Sequence, residues 1–228
     1  MKHILYLTAT VLLCSSCFHV NSNWSGGKNA IKGEGPVVTK SFDLKDFDQI
    51  VINGHADVTF VQSEMFAVSL STQENIFDYL DFRVEGTTLI LETKDNRSIR
   101  SEEFDVSLKA PALKSVTING ATDFDIKEGL VSDGDLSVVI NGAGDLDFDN
   151  VRCRNLSIKM NGAGDLELDS VDVQVLNVSV NGAGDVKVSG NAVDADLSVN
   201  GAGNIDAQNL KVSGEAKKHA SGVARVKY

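Results

Sequence analysis

Cysteine is scarce in this chain and badly placed for a staple. Of three in 228 residues, Cys14 and Cys17 lie near the start and only Cys153 lies in the body. One thiol forms no intrachain disulfide, so oxidative cross-linking does not hold the fold. Cys153, in Val151-Arg152-Cys153-Arg154, has the context of a small apolar filler. Proline is down to 2 residues while glycine reaches 20, a balance that suits tight turns between regular strands. Positive charge is short: 21 Lys and Arg stand against 32 Asp and Glu, for a net charge of −11. That excludes nucleic acid as a partner, because phosphate binding needs a basic surface. No nucleophile motif, metal-ligand spacing or phosphate loop is present, and His55 and His219 are isolated from one another. No cofactor and no catalysis are expected.

A bilayer-spanning run is also missing. Ile4 to Leu13 is ten mostly apolar residues, too short to cross a membrane but the right length for a signal-peptide core. It follows Lys2-His3 and ends in Leu13-Cys14-Ser15-Ser16-Cys17. Small residues before a cysteine resemble a bacterial lipoprotein processing box. Residues 1–17 are read as the signal, with Cys17 as the acylated first residue of the mature chain. The alternative is an ordinary secretory signal with incidental cysteines. Residues 18–35 are polar and glycine-rich without apolar periodicity, as expected of a flexible tether. The membrane, reached through the lipid, is thus one expected partner, and the expected place is the cell envelope as an outer-membrane lipoprotein.

What the chain has in abundance is repetition. Asn141-Gly142-Ala143-Gly144-Asp145 recurs at Asn161, at Asn181 and, ending in Asn204, at Asn200, with spacings of 20, 20 and 19. Weaker copies start at Asn119 and Ser221. Another, Asn53-Gly54-His55-Ala56-Asp57, lies 66 residues before Asn119, three coils of 22 if the period persists there. The flanks alternate: Leu136, Val138, Ile140 before one turn and Leu146, Phe148 after it, with polar residues between. Period two means strands with one inward face. A second apolar signal follows at Val151, Val171, Val193 and Leu210.

Asn-Gly between alternating runs is also a hairpin signal. Repetition of one unit in one order favours instead a parallel coil that advances one strand spacing, about 4.8 Å, per turn. Like residues then stack. Asn141, Asn161, Asn181 and Asn200 become a ladder of amides, and Gly142, Gly162, Gly182 and Gly201 turn the corner with positive φ. The expected fold is an all-β, parallel β-helix-like solenoid with coils of about 20 residues. Residues 36–228 read as one domain: irregular coils and a cap over 36–110, with one or two helical turns within Thr72–Asp81, then regular coils over 111–228.

The start of the chain, followed by Phe42-Asp43-Leu44-Lys45-Asp46-Phe47-Asp48-Gln49-Ile50 and Ile52-Asn53-Gly54, and the later Ile118-Asn119-Gly120 and Ile140-Asn141-Gly142 turns, resemble the autotransporter-adhesin head domain called the GIN domain. The resemblance covers roughly residues 40 to 225. It implies a right-handed solenoid, an adhesin-like role toward a glycan or protein, and no catalytic residues. No acidic run follows Cys17, which leaves open both the cell surface and the periplasmic face of the outer membrane.

Two further candidates come from the residues. Asp145, Asp165 and Asp185 should stack outward. Either they hold cations as a ladder or each accepts N–H groups at its own turn, and the period of twenty and the loss of charge at Asn204 favour the turn role. Parallel β-helices also house polysaccharide-degrading enzymes. Here the regular coils have nearly constant length, with no insertion to wall a cleft, so only residues 71–105 have room for one. The basic C-terminus, Lys217-Lys218-His219 and Arg225 to Lys227, reads as charge protecting an open edge, with head-to-tail homo-oligomers as the alternative.

Overall fold

The computed structural model describes residues 30–228. The expected signal segment, Cys17 and the tether as far as residue 29 lie outside the described residues. The remainder is almost entirely strand. β1 (Ile31–Lys32), β2 (Val37–Phe42), β3 (Gln49–Gln62), β4 (Ala67–Gln73), β5 (Leu80–Glu85), β6 (Thr88–Thr93), β7 (Ile99–Arg100) and β8 (Phe104–Ala110) form the N-terminal part. The regular part comprises β9 (Ser115–Ile126), β10 (Leu130–Val131), β11 (Asp135–Ala143), β12 (Leu146–Asp149), β13 (Val151–Ala163), β14 (Leu166–Ala183), β15 (Val186–Val212) and β16 (Ala216–Lys227).

From β9 onward the chain winds as a solenoid of about 5 turns with coils near 21 residues. Every pairing between successive coils there is parallel, and like residues meet through the first corner. Ile118, Ile140, Met160, Val180 and Val199 stack in one column, and Phe124, Leu146, Leu166 and Val186 in another. All of these side chains are buried. Alternation puts them inside, and removing each large apolar side chain from water is worth roughly 1.5–3 kcal/mol. Cys153 is buried among them, and burial pushes its thiol up to about 11.

A second corner is turned in three successive coils by Asn150, Ser170 and Gly190, at φ 52°, 58° and 118°. The coil containing Gly190 is one residue short, and the ladder shifts register between Leu168 and Val171. Ala192 therefore pairs with Val173 and is buried, while Val193, expected inside, is 49% exposed. A one-residue change reverses every face that follows it until the register is restored.

The segment between the first two Asn-Gly turns is not three further coils. β3 pairs directly with β9, Asn53 beside Asn119. The outer edge of β3 is shared, residues 49–52 with β6 and residues 57–62 with β8. β8, β4 and β2 continue the sheet antiparallel, and β5 and β6 form a hairpin. The reason is local. This stretch lacks the repeated turn, and Gly86 at φ 63° closes a tight hairpin instead. The expected helical turns are a 3-10 helix over Glu74–Tyr79. Ile31–Lys32, placed in the tether by composition, pair with β7 as a strand.

Candidate functional site

The first corner of each coil makes the most regular surface of the molecule. Asn53, Asn119, Asn141, Asn161, Asn181 and Asn200 form one column by strand register. Each amide donates to the carbonyl oxygen of the one before it: Asn119 to Asn53 at 2.9 Å, Asn141 to Asn119 at 3.0 Å and Asn161 to Asn141 at 2.9 Å. The run continues from Asn181 and Asn200 at 3.3 and 3.2 Å. It ends on a charge. Asn53 donates to Glu92 Oε2 at 2.7 Å, and Arg83 donates to Glu92 Oε1 at 2.6 Å. Those two partners, Arg83 first, hold the Glu92 carboxyl below its ordinary value. Aligned amides that terminate on a carboxylate polarise one another. A side-chain amide has two N–H groups and two lone pairs, so each inner rung keeps one donor and one acceptor for a ligand.

Beside the amides runs a strip of glycine and alanine. A β-carbon on Gly120, Gly142, Gly162, Gly182 or Gly201 would overlap the carbonyl oxygen of the preceding coil's glycine. Only hydrogen fits there. Ala121, Ala143, Ala163, Ala183 and Ala202 are exposed on the same strip.

The far side of the strip is acidic. Asp145, Asp165 and Asp185 are exposed, and each accepts the backbone N–H of the next coil's matching residue rather than one at its own turn. The distances are 2.8, 2.9 and 2.8 Å, and Asp123 starts the series toward Asp145 at 3.0 Å. This corrects the expected own-turn bonding. In a parallel stack the nearest free N–H belongs to the neighbouring coil. Among the described residues no group of three His, Cys, Asp or Glu is gathered for a metal ion. Carboxylates do crowd along this column at Asp57 and Asp123, and along the next at Asp125, Asp147 and Glu167. Burial first, then Asp123 and Asp105, raises Asp57, and burial first, then Asp149 and Asp125, raises Asp147.

A cleft of about 870 Å³ opens where the first corner has no coil before it. Between β6 and β8 the chain leaves the stack through residues 94–103, so the outer edge of Asn53–Ala56 is not covered by a ladder. Gly54 shows the difference: nothing lies within 4 Å of where its β-carbon would be. The floor of the cleft lies over the buried Ile52, Ala56, Leu91 and Val106, and the half-buried Phe82, Ile99 and Phe104 form an apolar wall. His55, Asn96, Arg97 and Ser98 stand at the mouth, where the His55 ring lies 5.5 Å from that of Phe104. A shallower trough continues from His55 and Ala121 along the alanine strip to Ala163. Sequence reasoning located room for a cleft in 71–105 but none of its residues. The available signal was the polar run Lys94-Asp95-Asn96-Arg97-Ser98, which interrupts the alternation.

Residues 46–227 match the family model described as "Putative auto-transporter adhesin, head GIN domain". The crystal structure of a putative adhesin from Bacteroides fragilis superposes with a TM-score of 0.71 at 22% identity, covering 87% of this chain and 99% of that one. A structure from Parabacteroides distasonis described as a putative lipid binding protein gives 0.71 at 20% identity, covering 88% and 100%. A putative adhesin from Parabacteroides merdae gives 0.53 at 19%, covering 88% and 100%. At these identities the likeness speaks to the fold alone. Among curated proteins none is detectably similar.

Proposed function

Because the chain belongs to the family of GIN-domain heads described as auto-transporter adhesins, we propose that it is a non-catalytic binding module of the bacterial envelope, anchored through lipid on Cys17. It presents the first-corner face to an extended polymer, a glycan or a protein segment. The observation that carries this reading is the register of that face. Amide, glycine and alanine each form a column unbroken from Asn119 to the coil of Asn200, with carboxylates beside them from Asp123 to Asp185, so one hydrogen-bonding pattern recurs at successive coils, about 4.8 Å apart. A linear chain lying along the solenoid axis meets the same donors and acceptors at each step. Weak contacts repeated along one chain add up to useful avidity. An enzyme needs convergent groups in a cleft, whereas these columns spread theirs evenly.

The test is a binding screen of the full chain against immobilised linear glycans and envelope or host proteins. A triple variant, Ala143→Gln, Ala163→Gln and Ala183→Gln, serves as control. Those alanines are exposed and stacked, so neutral side chains add bulk to the strip without setting like charges against one another. A ligand that loses about tenfold or more in affinity with the variant supports the reading. A ligand that binds both alike does not use this face.

A further inference from the structure

We infer that the cleft above Gly54 is a binding site for a small anionic amphiphile, with the hydrocarbon body inside and the acidic head at Arg97. This goes beyond the adhesin reading and stands or falls separately from it. The cleft is built by an exception to the repeat. Over each later corner glycine the preceding coil supplies a carbonyl oxygen, and over Gly54 it supplies nothing. Its volume of about 870 Å³ lies within the ~300–1,000 Å³ usual for small-ligand pockets.

The lining selects the chemistry. Phe82, Ile99 and Phe104, all half-buried, supply the apolar wall, over a floor of Ile52, Leu91 and Val106 that is itself almost fully buried. Polar partners stand on one side, at Asn96, Arg97, Ser98 and the uncovered backbone edge of Asn53–Ala56, so a ligand with a polar head and an apolar body matches both surfaces. A hydrocarbon body loses nothing polar and gains about fourfold in affinity per methylene buried. The mouth selects the head. The guanidinium of Arg97 stands 4.0 Å from Asp95 and 5.9 Å from the Tyr79 ring, and it retains planar donors for a carboxylate or phosphate. The acid in the lining is already engaged, because Glu92 accepts from Arg83 and Asn53. Asn96 and Ser98 flank Arg97 with further polar groups.

The wall that carries Arg97 is held by the start of the domain. Ile31 N–H donates to Ser98 O, and Gly33 N–H to Arg100 O, both at 2.8 Å. A ligand that packs under this wall also stabilises the docking of β1, so occupancy and the attachment of the N-terminal segment are linked.

The experiment titrates the full chain with straight-chain carboxylates from octanoate to tetradecanoate, each below its aggregation concentration. Binding is read by calorimetry and located by hydrogen exchange. The expected result is an affinity that rises about fourfold per methylene and then levels off as the cavity fills, with new protection at residues 31–33 and 97–101. Arg97→Gln should weaken binding by about tenfold. Ser98→Trp, at an exposed position in the mouth, should abolish it with the melting temperature unchanged. Phosphatidylglycerol vesicles distinguish the source of the amphiphile. Extraction of a lipid by the wild type and not by Ser98→Trp supports the cleft with a membrane donor. Affinity independent of chain length, protection elsewhere, or vesicle binding unaffected by Ser98→Trp overturns the proposal. The alanine-strip variant should bind the carboxylates normally, which separates this outcome from failure of the polymer-binding reading.

Discussion

At Gly162 a single carbonyl oxygen, that of Gly142, decides which residue is allowed. Its φ of 156° and that oxygen together admit only hydrogen, while Gly54, at φ 144°, has the same backbone demand and no neighbour above it. Gly54→Ala should therefore cost about 1–3 kcal/mol for backbone strain alone. Gly162→Ala should cost at least about 2 kcal/mol more, because the stack must open to admit the methyl group. Urea unfolding of the two variants checks the difference. The amide ladder makes a similar comparison. Asn161 both donates and accepts in the column, whereas Asn200 only donates within it. Asn161→Ala should cost about 2 kcal/mol and Asn200→Ala about 1 kcal/mol. These columns were legible in the sequence because the motif recurs nearly letter for letter. The acceptor at the end of the ladder was not, since Glu92 lies far from any repeat and reaches Asn53 only through the hairpin. Cys153, buried with its thiol pushed up to about 11, should stay unreactive to aromatic disulfide reagents until the protein unfolds.

At the scale of elements, strand identity was written in the alternation, and strand partners were written only where units repeat. β9 to β16 stack as the spacing predicts, whereas β2, β4 and β8 pair antiparallel in a stretch whose alternation gives no register. Val193 failed for a narrower reason: the nineteen-residue unit drops one position at the second corner, and the inward place passes to Ala192. The outward columns set the response to pH. Asp57 and Asp147 have raised carboxyl values in the folded state, so the fold binds protons more readily than the unfolded chain. Their contribution improves as pH falls from neutral through those raised values toward 3.8. Glu92 acts in the opposite direction. Its value is depressed, so the stability it provides is full above 4.5 and is lost as pH falls through the folded value. The melting temperature should rise on mild acidification and drop on further acidification. Asp147→Asn should flatten the rise and Glu92→Gln should soften the drop, both read from thermal melts across pH.

The whole molecule is a stack with two unlike ends. The N-terminal end is closed by antiparallel strands, while β16 stands last in the sheet and carries Lys217, Lys218, Arg225 and Lys227. By register Lys218 takes the inward position above Leu197, and its ammonium sits 4.7 Å from the Tyr228 ring. A charge in a core position discourages another stack from docking on that edge. Lys218→Val should therefore promote end-to-end association, seen as a concentration-dependent shift in light scattering. The sequence announced this edge through its basic residues, but the inward place of Lys218 required the register of the last pairing. It announced the repeated face as well and left room for a cleft in 71–105, but the place of that cleft, at the one corner of the stack left open, required the pairing of β3 with β6, β8 and β9.

The proposed adhesin role requires the stack to be reachable from outside the cell, and protease treatment of intact cells producing the full chain tests it most directly. Digestion of the solenoid on intact cells, to the same extent as in lysates, is the expected result. Protection until the cells are lysed would contradict the account and assign the repeated face to partners within the periplasm.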